Sequence, residues 1–244
     1  MQSIGLPLLH EEEVEGVASS VFVDIRARMP FVPALFKALA ADSEALVAAW
    51  LQARAIYDDP RSPAAADDIR RSAQVSTGFQ PSGRVSEALA PFATELPFMV
   101  LIVTSLQLSL RRELARQPTP QLDLPAPAPV PEPEPEFSDR AEHPLFPEIC
   151  SVYETQHLPS VFRTLAANGL LEETWAGIGP FLASPEGATA VASVNSAADN
   201  RARAMPEVAS FAVERARPIL DQFSQALPRN LILAVAGRRD HRPD

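Results

Sequence analysis

The sequence predicts an all-α chain of two helical repeats that share one core. Three observations carry that expectation. Apolar residues recur at spacings of three and four, no stretch alternates strictly between apolar and polar, and two stretches flanking a proline-rich segment resemble each other. Taken in order, Val14, Val17, Val21, Ile25 and Met29 fall on one helical face. Asp42 then opens an alanine-rich helix carrying Ala45, Leu46, Ala49, Trp50, Ala53 and Tyr57 on one face. Ser62-Pro63 reads as an N-cap serine followed by proline at the first helical position. Residues 96–106, LPFMVLIVTSL, are apolar nearly all round, which predicts a helix buried on every side. The first repeat therefore reads as about six helices within 11–116.

Residues 117–140 carry eight prolines, five acidic residues and one basic one. Proline donates no backbone N–H and fixes φ, so neither a helix nor a central strand can form there. An extended spacer that contributes little to folding is expected. Beyond it, Leu171, Trp175, Ile178 and Leu182 share a helical face, and Ser184-Pro185 repeats the cap signal of Ser62-Pro63. The apolar run 231–234 matches the run 100–103, with its helix cut short at Arg238. The second repeat spans 141–240.

The internal match is specific. Pro33, Phe36, Leu39, Ala40 and Ala41 correspond to Pro159, Phe162, Leu165, Ala166 and Ala167 at a constant separation of 126 residues. Trp50 and Trp175 are separated by 125, and Leu96-Pro97 matches Leu227-Pro228. Insertions in the connecting loops account for the drift. Two runs apolar on every side pack most simply at the centre, facing each other, with any cavity between the repeats.

The chain has 244 residues, 31 acidic and 21 basic, for a net charge of −10. That balance argues against nucleic acid and anionic membranes as partners. No apolar run approaches the roughly 20 residues of a membrane span, so no insertion is expected. One cysteine, Cys150, cannot build a disulfide framework, and no His/Asp/Glu cluster shows metal-ligand spacing. No cofactor is implied. The N-terminus lacks a basic region followed by a long apolar core, so a cytoplasmic protein is expected. Lys37 is the sole lysine among 21 basic residues and alanine is abundant, as in a GC-rich bacterial genome.

Three stretches, EVEGVASSVFVDIRARMPFVPALFKALA, LPFMVLIVTSL and HLPSVFRTLA, resemble the group I 2-haloacid dehalogenases. These are all-helical tandem-repeat relatives of the alkylhydroperoxidase-D-like fold that act on both D- and L-2-haloacids. In that family an aspartate at the start of a second-repeat helix activates the attacking water, and an asparagine before the first apolar helix positions the reacting groups. The resemblance puts Val161 at the aspartate position and Leu96 at the asparagine position. Neither side chain can take a proton. The family's pocket tryptophan becomes Phe31, which keeps an apolar wall.

The residues themselves offer few replacements. His157 enters the helix that carries the family's catalytic position and is the repeat mate of Phe31; its pKa range suits proton transfer. Glu95 precedes Leu96, and Glu154 lies upstream of Val161. These three are the candidate acid–base groups. Phe31, Trp50, Leu96, Thr104, Tyr153, Ser160, Val161, Trp175 and Asn230 are the candidate binding residues. Thr104 interrupts the most apolar helix, where its hydroxyl either bonds the carbonyl four residues back or faces a ligand. Three functions stay open: a small-molecule enzyme with an apolar pocket and a non-dehalogenating reaction such as isomerisation or cyclisation, a non-catalytic binding or pathway-accessory protein, and a haloacid dehalogenase with relocated catalytic residues. The expected partner is a small apolar organic ligand of some bulk, and a homodimer stays open.

Overall fold

A computed structural model describes residues 6–114, 123–130, 141–205 and 214–238. Among them are ten α-helices and no strand. Five precede the proline-rich segment: α1 (Gly16–Arg26), α2 (Ala34–Leu39), α3 (Ser43–Asp58), α4 (Ser62–Ser72) and α5 (Gly83–Leu110). Five follow it: α6 (Phe146–Tyr153), α7 (Ser160–Ala167), α8 (Leu171–Leu182), α9 (Pro185–Ala202) and α10 (Arg217–Ala236). The expected sixth helix of the first half is absent among the described residues, because 83–110 runs on as one helix of 28 residues.

Side-chain capping fixes some of the helix starts. Asp42 caps α3 by accepting from the N–H of Ala45 at 3.1 Å, and Ser184 caps α9 by accepting from Gly187 at 3.1 Å. Ser62 departs from the expected cap. It is the first residue of α4, and its hydroxyl donates back to the carbonyl of Ile56 at the end of α3. Its role is to tie two helices together.

The centre of the molecule is α5 against α10, the most extensive helix–helix contact, with α4 and α9 also packed on α5. Both central helices contain an interior proline, Pro97 and Pro228. Each withholds an N–H from the carbonyl four residues earlier, Ala93 and Ser224, and so loosens the helix at that level. By length and composition α5 is a helix that could cross a membrane, contrary to the expectation of no such run, yet two-thirds of its most apolar window is buried here. Burial on all sides is the reason it is so apolar.

The two tryptophans make like contacts. Trp50 donates its indole N–H to Asp24 at 2.8 Å and meets the Phe36 ring edge-on at 5.4 Å. Trp175 donates to Glu148 at 2.8 Å and meets the Phe162 ring edge-on at 5.8 Å. Each buried indole thus satisfies its one donor with a carboxylate from the first helix of its half.

The proline-rich segment is less detached than its composition suggests. Residues 123–130 form neither helix nor strand, as expected. They nevertheless pack on the first half. The Ser19 hydroxyl donates to the carbonyl of Ala128 at 2.6 Å and accepts from its N–H at 3.2 Å, and Val130 is buried in the core. Apolar residues between the prolines supply the burial that the proline count alone hides. The acidic repeat EPEPE lies outside the described residues.

Candidate functional site

A pocket opens between the two halves at the level of the interior prolines. Four segments line it. Phe31 and Pro33–Leu35 come from the α1–α2 turn and α2; Phe92, Glu95, Leu96 and Met99 from α5; His157 and Pro159–Val161 from the start of α7; and Phe223, Ala226, Leu227 and Asn230 from α10. The α5 and α10 residues follow the same i, i+3, i+4, i+7 pattern, one helical face each. In the sequence match each wall residue has a counterpart, and the polar ones correspond to apolar ones: Glu95 to Ala226, Asn230 to Met99, Ser160 to Ala34, and His157 to Phe31.

Ring packing follows the same scheme. Phe31 lies against Phe92 with centroids 5.6 Å apart and planes tilted 39°, and His157 lies against Phe223 at 5.2 Å and 43°. His157 is buried, and its segment is fixed by Thr155, whose hydroxyl accepts from the His157 N–H at 3.1 Å and donates to its carbonyl at 3.3 Å.

Glu95 is the pocket's carboxyl group. Tyr57 of α3 donates its hydroxyl to Glu95 Oε2 at 2.7 Å, and the Tyr57 ring packs on Phe98 at 4.9 Å. Burial pushes the Glu95 carboxyl above the usual carboxylate range, against the opposing pull of the Tyr57 hydrogen bond. Burial and the neighbouring Glu95 in turn push the Tyr57 phenol up, so it stays a donor. Two further polar groups complete the wall. Asn230 is buried and its Oδ1 has no hydrogen-bond partner. Ser160 stands at the first turn of α7.

The pocket is tight. Its free volume is about 40 Å³. A single water needs about 10–15 Å³ on that measure, so the space matches roughly three waters. A bulky ligand, as the sequence leads one to expect, does not fit without movement of the wall. No arginine or lysine lines it.

Seven of the twelve sequence-derived candidates meet here: Glu95, His157, Phe31, Leu96, Ser160, Val161 and Asn230. Five do not. Trp50 and Trp175 spend their indole faces on Phe36 and Phe162 and their donors on carboxylates, which makes them core residues. Tyr153 is fully buried edge-on to Phe162, outside the pocket. Glu154 ends α6 in the left-handed conformation, φ 53°, with its side chain exposed. Thr104 faces a different cleft. Cys150 is buried and desolvation pushes its thiol up, which disfavours the thiolate. Among the described residues no three His, Cys, Asp or Glu side chains gather to hold a metal.

Sequence reasoning missed Phe92, Met99 and Phe223. The signal was present. Applying helical spacing outward from Leu96-Pro97 and Leu227-Pro228 yields all three.

No family model and no curated protein matches the chain. Solved structures do. A D-2-haloacid dehalogenase mutant in complex with D-2-CPA superposes with a TM-score of 0.73 at 16% identity, covering 95% of this chain and 94% of that one. A D-2-haloacid dehalogenase in complex with L-LA superposes with the same TM-score at 17% identity and the same coverage. The chain therefore has the all-helical fold of the 2-haloacid dehalogenases over nearly its whole length.

Proposed function

We propose that this protein is a small-molecule enzyme, acting in the cytoplasm, that shifts a proton on a small, neutral, largely apolar carbonyl compound. The observation that carries the proposal is Glu95, a carboxyl group raised by burial and set in the wall of an otherwise apolar pocket. Its ionised form would take a proton from the carbon next to the carbonyl. The C–H electron pair would move into the new C=C bond and the carbonyl oxygen would become an enolate. His157 or Ser160 would donate a hydrogen bond to that oxygen. In a β,γ-unsaturated carbonyl compound the enolate is conjugated with the second C=C, and return of the proton from Glu95 to the γ-carbon re-forms the C=O and leaves the α,β-unsaturated isomer. A general base of this kind is worth roughly 10²–10⁴-fold, and its efficiency improves as its pKa approaches the working pH. Neutrality of the ligand follows from the wall, because a carboxylate would lose its hydration with no arginine or lysine to replace it.

Cyclopentanone and propionate, similar in size and differing in charge, test the binding half of the proposal. Saturable binding of the ketone that propionate does not displace is expected; displacement of the ketone by propionate would overturn it.

Glu95 also supports a second reading. Adjacent to Leu96, it could activate a water for halide displacement in place of the aspartate that Val161 replaces. Halide release separates the two. Ketone binding without any chemical change would instead indicate a non-catalytic binding protein.

A further inference from the structure

A second, more open cleft of about 390 Å³ lies between α5, α9 and α10, outside the pocket described above; Leu227 contributes to the walls of both. Its volume is in the usual range for small-molecule sites, about 300–1,000 Å³. Val100, Val103, Val191 and Pro228 give it an aliphatic floor.

The polar groups above that floor fall into two sets. Four are already engaged: Arg111 pairs with Glu113 at 2.7 Å, Asp199 with Arg203 at 2.8 Å, and Gln107 donates to Ser224 at 3.0 Å. Of the other four, Asn195 and Gln225 are exposed to solvent, and Thr104 and Arg229 are partly buried. Three helical threonines, Thr94, Thr174 and Thr189, bond the carbonyl four residues back, on Ala90, Leu170 and Pro185. Thr104 makes no such bond, although it sits in the middle of α5 where the carbonyl of Val100 is within the same reach. Its hydroxyl is left to the cleft. Arg229 forms no ion pair among the described residues. Its guanidinium lies 5.8 Å from the Tyr153 ring, one nitrogen reaches only the Gln225 carbonyl at 3.3 Å, and its buried Nε has no acceptor. A partly buried guanidinium suits a carboxylate, because planar bidentate partners match its geometry.

We propose that this cleft is a binding site for a small organic monoanion with a short hydrocarbon tail, the oxyanion on Arg229, the Thr104 hydroxyl donating to it, and the tail on the valine floor. One uncompensated cation, with Asp199 close by on the wall, selects a singly charged carboxylate over a phosphate dianion. This site is independent of the reaction assigned to the pocket.

Hexanoate is the probe, with hexanol as its neutral counterpart and calorimetry on the full chain as the measurement. Saturable hexanoate binding is expected, at least tenfold tighter than hexanol. Arg229→Gln should weaken it at least tenfold and Thr104→Val severalfold, while Glu95→Gln leaves it unchanged. Because Arg229 covers the buried Tyr153 ring, its variant could fold poorly; the Thr104→Val and hexanol comparisons then decide. Equal affinity for hexanol and hexanoate, no effect of Thr104→Val, a loss on Glu95→Gln, or no saturable binding at millimolar hexanoate would each overturn the proposal.

Discussion

His157 rests on Phe223 across 5.2 Å at a tilt of 43°, and this is nearly the arrangement of Phe31 on Phe92 at 5.6 Å and 39°. One half of the pocket therefore carries an imidazole where the other carries a phenyl ring. In the sequence match Glu95 corresponds to Ala226 and Asn230 to Met99, so the two helix faces that line the pocket differ in their polar groups.

His157→Phe should be tolerated by the fold, since the opposite side of the pocket already accommodates a phenylalanine in that setting. A change in stability below about 1.5 kcal/mol is expected, as for shape-conserving core swaps. Thermal unfolding checks this. Loss of the folded state would show that the buried imidazole holds the α6–α7 connection through bonds a phenyl cannot make.

Asp42 links two ends of the chain: it caps α3 and pairs with Arg215. The Arg215 hydrogen bond, aided by the Ala45 cap, lowers its carboxyl to about 2. A lowered folded-state pKa means stability that is present above the unfolded value, about 3.9, and lost as pH falls toward 2. The pair is exposed, so solvent keeps this contribution small. Asp42→Ala should cost about 1 kcal/mol at neutral pH through the lost cap, and Asp42→Asn less, since asparagine also caps. The acid limb of the stability curve below pH 4 should flatten in both. Equal losses for the two variants would mean that the ion pair, and not the cap, matters.

Replacing residues 123–130 with a Gly/Ser sequence of equal length should lower the melting temperature by several degrees. Val130 is buried in the core, and Ala128 exchanges two hydrogen bonds with Ser19. Each 1 kcal/mol shifts a domain of this size by about 2–4 °C. Ser19→Ala should reproduce part of the loss. An unchanged melting temperature would mean that the segment only bridges the halves.

Halide release from 2-chloropropionate should not exceed the buffer rate. Val161 and Leu96 supply no base and no water-orienting amide at the two positions the dehalogenase resemblance indicates, and the wall has no arginine or lysine for the substrate carboxylate. Release abolished by Glu95→Gln would establish the second reading of the pocket.

The helices were legible because burial forces apolar residues into a helical period, and residues 96–106 of α5 and 231–234 of α10 read as apolar nearly all round because they are almost wholly buried. Pocket residues near repeat-matched positions, such as Phe31, His157 and Leu96, were legible for the same reason. The tryptophans misled because size and aromaticity mark core and ligand walls alike, and only the carboxylate partners of their N–H groups separate the two. Glu154 misled because nearness in sequence ignored the left-handed residue that ends α6 there. Proline content hid the packing of 123–130, because proline forbids regular hydrogen bonding but not burial. The value of Glu95 depended on Tyr57, 38 residues away, which no local pattern announces.

Exchange of the α-protons of cyclopentanone for deuterium in D₂O, followed by NMR with and without the protein, tests the role of Glu95 most directly. The wild type should accelerate exchange well above buffer, with a rate that rises with pH as the raised Glu95 carboxyl ionises. Glu95→Gln should bind the ketone with similar affinity and abolish the acceleration. Acceleration that survives in Glu95→Gln, or its absence in a wild type saturated with ketone, would contradict the assignment of Glu95 as the base.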